Sequence, residues 1–146
     1  REIHYAALRD KVYALRPDVC FIEQVNAFVP KTENKETGEM EANPWGGTSL
    51  FRFGGAYYAL RAVVSCLDIP LRAVGAPEWK AAFGLRGKKK GGGTDDSARQ
   101  LVLQRYPATS HYLKFKKDQH RAEAYLIAVY GGRKWRRENE SLDIPD

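Results

Sequence analysis

Apolar residues recur at helical spacing in several stretches of the chain and as short continuous runs in two others. Ile3, Ala6, Ala7, Leu8, Val12 and Leu15 follow the 3.6-residue repeat and predict a helix that ends before Arg16-Pro17. Val19 to Val25 is a continuous apolar run broken by Glu23, which predicts a strand buried on both faces, as in a parallel sheet. Asn26 to Gly47 carries prolines, glycines and charges and reads as a long loop. Leu50, Phe51, Phe53, Tyr57, Leu60, Val63, Val64 and Leu67 then mark a helix apolar almost all round, with Thr48 or Ser49 as its cap. Such a helix is either core or a partner-facing surface. Gly54-Gly55 in its interior predicts close approach of another backbone, which would offset about 1 kcal/mol per glycine.

Ile69 to Val74 reads as a second strand and Ala76 to Phe83 as a short helix with Pro77 in its first turn, Trp79 in the core and Lys80 exposed. Thr94-Asp-Asp96 predicts the start of a helix that carries Leu101 to Leu103 and ends before Pro107. Ala122, Tyr125, Leu126, Val129 and Tyr130 mark a last amphipathic helix, with Gly131-Gly132 as its stop. Strand, helix, strand, helix in the middle of the chain gives an α/β class. The chain's 146 residues fit one compact domain, 1–146, with a basic, polar tail from about 131.

Composition changes the picture in two ways. Apolar residues make up 43% of the chain, which excludes global disorder. The net charge is +6, with a pI near 9.4, and the cations cluster late in the chain. That balance suits a polyanion, and nucleic acid is the usual one; solubility alone is the plainer reading. Gly84 to Gly93 sets Arg86, Lys88, Lys89 and Lys90 on a glycine-rich chain, either a phosphate-contacting loop or a solvated linker. Lys114, Lys116 and Lys117 alternate with Tyr112, Leu113 and Phe115, a mixture that suits a DNA backbone or a half-buried segment with snorkelling lysines. Lys80 is a further phosphate candidate. Trp45 either stacks on a base or anchors its loop. Cys20 and Cys66 lie in apolar surroundings and read as small buried hydrophobes of a reducing, cytoplasmic compartment. No run is long enough to span a membrane as a helix.

The candidate chemistry sits at Glu23 and at the start of the last helix. Glu23 either reaches water as its strand ends or is a site carboxylate at the carboxyl end of a central strand. Asp118, His120 and Glu123 are potential metal ligands or proton carriers. His120 and Glu123, three apart, share a helical face, whereas Asp118 stands where a cap would. A carboxylate near a core needs a partner, and a divalent cation is one.

Phe21-Ile-Glu-Gln-Val25, Phe51-Arg-Phe-Gly54, Pro77-Glu-Trp-Lys80 and His120-Arg-Ala-Glu-Ala-Tyr-Leu-Ile-Ala128, in this order, resemble the RuvC-like Holliday junction resolvases of bacteria and bacteriophages. The resemblance implies a ribonuclease-H-like fold, a mixed central sheet flanked by helices. It implies Mg²⁺, with Mn²⁺ as a substitute, and a homodimer that nicks four-way junctions and other branched DNA. Glu23 takes the family's acidic position on the strand after the first helix, and Glu123 that of the last carboxylate. His120 takes an acidic position one turn earlier, and Asp118 either caps or assumes the role that His120 leaves. The family also has a Gly-x-Asp-x-Gly strand that does not occur here. Arg1 falls where the family's first helix begins, so the first hairpin and its aspartate are expected outside this sequence, and the chain alone is expected to be inactive. The competing readings are a branched-DNA-binding module without catalysis and an unrelated α/β interaction protein.

Overall fold

The computed structural model describes residues 3–25, 31–33, 40–42, 47–85 and 96–140. Among them the chain is mostly helical, with a two-stranded parallel sheet and a two-stranded antiparallel hairpin. The class is mixed α/β. The chain divides into two compact units, residues 1–18 with 25–70, and residues 19–24 with 71–146.

The first unit contains α1 (Tyr5–Leu15), the hairpin strands β2 (Lys31–Glu33) and β3 (Met40–Ala42), and α2 (Gly47–Ser65). In α1 the His4 ring accepts from the Ala7 N–H at 3.1 Å and caps the first turn. Its other end closes at Arg16, whose left-handed backbone (φ 44°) sends its N–H back to the Val12 carbonyl, as the stop before Pro17 requires. The stretch expected to be one long loop holds β2 and β3, paired from Lys31↔Ala42 to Glu33↔Met40. Three-residue strands are too short to leave a periodic signal. Trp45 lies outside the described residues. Two expectations for α2 change. Nothing approaches within 4 Å of where a Cβ on Gly54 or Gly55 would sit, so no backbone packs there. Phe51, Phe53 and Tyr58 are exposed, because an all-round apolar helix has more greasy surface than one neighbouring helix can cover. Cys66, just beyond α2, is exposed rather than buried.

The second unit contains β1 (Cys20–Glu23), β4 (Leu71–Val74), α3 (Ala76–Ala82), α4 (Ser97–Arg105) and α5 (Gln119–Glu140). Two short 3₁₀ turns, Pro107–Tyr112 and Lys116–Asp118, lead from α4 into α5. β1 and β4 pair in parallel with Cys20 opposite Leu71 and Glu23 opposite Val74. β1 is shorter than its apolar run and only half-buried, so the expectation of burial on both faces does not hold. The Cys20 thiol, half-buried there, is pushed up by desolvation.

Trp79, Val74, Val102, Ala122 and Leu126 form the centre of this unit, joined by Phe83, Leu113 and Ile127. Trp79, expected in the core, is the largest fully buried side chain among the described residues. α3 ends at Gly84, whose φ of +68° is costly for any residue with a side chain. The Tyr130 hydroxyl donates to Glu78 Oε1 at 2.5 Å and Lys134 Nζ reaches the same oxygen at 3.0 Å, which clasps α3 to α5. These hydrogen bonds, from Tyr130 first and then Lys134, hold the Glu78 carboxyl below its usual range. At the far end of α4, Tyr106 meets Tyr125 edge-on at 5.1 Å.

The largest departure concerns α5. It continues through Gly131-Gly132 to Glu140 instead of stopping there. Glycine ends a helix when the chain turns, but here Gly131 is buried because the ring of Phe21 occupies the place of its missing Cβ. Beyond it, Arg72 lies 4.7 Å from the Trp135 ring centre and pairs with Glu138, which gives the extra turns tertiary contacts. The residues expected to be a basic tail are therefore largely helical.

Gly131→Ala is expected to destabilise the protein by about 1–3 kcal/mol through overpacking against Phe21. Gly132→Ala, which meets nothing within 4 Å, is expected to stabilise it by about 0.5–1 kcal/mol. Chemical denaturation of the two variants checks the contrast, and equal shifts would refute the close approach.

Candidate functional site

α5 packs on β1. Arg72, level with Phe21, touches Trp135 and Glu138 near the end of α5, and Phe21 lies under Gly131. Glu23 and Glu123 thus lie on two elements, β1 and α5, that pack together where Phe21 meets Gly131. His120, Glu123, Ile127, Tyr130 and Lys134 also make one stripe of α5, at spacings of three and four. Tyr130 and Lys134 of that stripe face Glu78 on α3, and Trp79 beside it reaches Glu23.

Glu23 is half-buried, and its Oε2 accepts the Trp79 indole N–H at 2.9 Å. Lys80 is half-buried rather than exposed, with Nζ 5.3 Å from the Trp79 ring centre. A cationic side chain thus lies beside the ring that holds the candidate carboxylate. His120 Nδ1 is 3.1 Å from Glu123 Oε2; the imidazole is 91% exposed and the carboxylate 23%.

Asp118 is buried and serves its own turn. Its Oδ2 accepts from the Phe115 N–H at 2.9 Å, and Oδ1 lies 3.6 Å from Arg121. It closes the 3₁₀ turn before α5, whereas a cap on the first turn of α5 itself was expected from its position. Lys114, Lys116 and Lys117 are exposed on the turn before α5, together with Tyr112 and Phe115, while Leu113 between them is buried. Arg86, Lys88, Lys89 and Lys90 lie outside the described residues.

The start of α5 is braced by contacts that the sequence did not signal. Asp96 was expected to cap α4, yet its carboxylate binds Arg99 through Nε (2.6 Å) and Nη2 (2.8 Å) and makes no capping bond. The Arg99 backbone N–H is capped instead by Gln119 Oε1, at 3.0 Å, and Arg99 Nη1 donates to the Leu113 carbonyl at 3.0 Å. The carboxylate was taken by the stronger, charge-assisted bidentate partner. One arginine thus ties α4 to both ends of the segment that presents Asp118, His120 and Glu123. Hydrogen bonds from Arg99, then Gln100, lower the Asp96 carboxyl to about 2.

The donor chemistry at Glu23 and Glu123 fits Mg²⁺, which prefers hard carboxylate oxygens, and His120 is a softer donor on the same stripe. Among the described residues no three His, Cys, Asp or Glu side chains gather as a metal-binding group. Among those residues, too, no helix is long and apolar enough to cross a membrane. No protein-family model matches the chain, and no curated protein matches it either.

Asp96→Asn is expected to cost about 1 kcal/mol at neutral pH, because the pair is half-buried and partly screened. The folded carboxyl, at about 2, titrates below its ordinary value of 3.8. Its stabilisation is complete above that ordinary value and is lost as pH falls toward 2. Urea unfolding at pH 7 and pH 3 checks this: the gap between wild type and variant should narrow in acid, and a constant gap would contradict it.

Proposed function

We propose that this chain belongs to a metal-dependent, structure-specific endonuclease that nicks branched DNA, of the Holliday-junction-resolving kind, on a ribonuclease-H-like fold. The observations that support the reading are Glu23 on the last residue of β1, the His120–Glu123 pair in the first turn of α5, and the packing of that helix on β1 through Gly131. Carboxyl ends of parallel strands are where α/β folds place their chemistry. Glu23 and Glu123 hold Mg²⁺, or Mn²⁺ in its stead, with His120 as a further ligand or a proton carrier. When bound, the metal supplies an activated water for in-line attack on phosphorus and charge stabilisation for the leaving 3′ oxygen. Glu23 keeps Oε1 for the cation while Trp79 holds Oε2. Lys80 and the exposed Lys114, Lys116 and Lys117 carry the DNA backbone, with the Arg86–Lys90 segment as a further phosphate contact.

The exposed Phe51, Phe53 and Tyr58 of α2 support a homodimer, whose two sites, related by a twofold axis, nick two strands symmetrically. The setting is recombination or repair of DNA in the cytoplasm of a bacterial or phage-infected cell. A second reading, a branched-DNA-binding module without catalysis, is supported by the exposed Lys114, Lys116 and Lys117 on the turn before α5.

Cleavage of a labelled four-way junction, with and without Mg²⁺, tests the proposal. The polypeptide is supplied with the amino-terminal aspartate strand that the resemblance implies, and the chain alone is expected to bind without cutting. Paired nicks that need Mg²⁺ are expected. Glu123→Gln should lower the cutting rate by about 100-fold or more and leave junction affinity within about twofold. Tight, salt-sensitive binding with no cutting would select the binding module.

A further inference from the structure

We propose that Trp79 is a positioning residue for the Glu23 carboxylate and, resting on the nuclease reading, sets the affinity of the site for its metal. The indole is fully buried, and its N–H is a single, directional donor that needs an acceptor inside the core. It finds Glu23 Oε2 at 2.9 Å. Glu23 stands on the last residue of a four-residue strand, half-buried, with three side-chain torsions to fix. The ring that holds them is fully buried, in one core cluster with Val74, Phe83 and Leu126. The N–H occupies one carboxylate oxygen and leaves Oε1 as the one to meet a cation. Trp79 thus does for Glu23 what a hydrogen-bonded partner commonly does for a metal ligand: it selects one orientation before the ion arrives. Lys80, the next residue, stacks its ammonium 5.3 Å from the centre of the same ring. The ring therefore orients an anionic ligand on its edge while a cation lies over it.

The test deletes the N–H and keeps the shape. Site-specific replacement of Trp79 by 3-benzothienylalanine exchanges the N–H for sulfur in a ring of nearly equal size, and Trp79→Phe serves as a second, genetically encoded deletion. Mn²⁺ affinity of the same polypeptide used for cleavage, read by electron paramagnetic resonance, is the first readout. The Mg²⁺ concentration for half-maximal junction cutting is the second. Both variants are expected to bind Mn²⁺ about tenfold more weakly and to need correspondingly more Mg²⁺. The maximal cutting rate at saturating metal should recover, and the benzothienyl variant should keep the wild-type unfolding midpoint. Unchanged metal affinity in a wild-type protein that binds and cuts would overturn the positioning role alone. A wild-type protein that binds no Mn²⁺ would overturn this role and the nuclease reading together.

Discussion

The ring of Phe21 fills the space that a side chain on Gly131 would need, and the second unit is arranged around that close approach. It lets α5 lie directly on β1. It fixes the helix in the axial direction, because ring and glycine coincide at one level only. It also carries the helix past two glycines, so that Trp135 and Glu138 can engage Arg72 at the start of β4. Arg99 braces the start of the helix, through Gln119 and the Leu113 carbonyl.

Electrostatics in this unit falls into two kinds. Asp96–Arg99, Glu78–Lys134 and Arg72–Glu138 are pairs that tie elements together. Glu23 and Glu123 differ, since neither has an arginine or lysine salt bridge among the described residues; their partners are a neutral indole and an imidazole. Carboxylates held by weak donors near a core retain capacity for a stronger cation. The exposed lysines on the turn before α5 add positive charge near that end without neutralising either one.

Much of this was legible in the sequence, and what was not has identifiable causes. Pro77 and Pro70 punctuate the chain so firmly that α3 and β4 begin beside them. Trp79 was expected in the core and lies there; Asp118, expected to cap α5, accepts instead from the Phe115 N–H of the turn before it. The stop at Gly131-Gly132 failed because a glycine that ends a helix and one that admits an aromatic ring look alike until the partner is known. Asp96 looked like a cap, but Arg99, three residues on, was a better partner, and the cap came from Gln119 twenty residues away. Ile127 escaped the apolar pattern of α5, and Gly54-Gly55 was given a packing role that nothing occupies. The Glu23–Trp79 bond spans 56 residues. A buried indole announces that it needs an acceptor, but not which one.

The central claim is that Glu23 and Glu123 act as one site. A double-mutant cycle on Mn²⁺ binding tests it most directly, with Glu23→Gln, Glu123→Gln and the pair titrated under one set of conditions. Ligands of one ion are coupled, so the double variant should bind scarcely more weakly than either single variant. Independent, additive losses, or no loss from one of the two substitutions, would contradict a shared site.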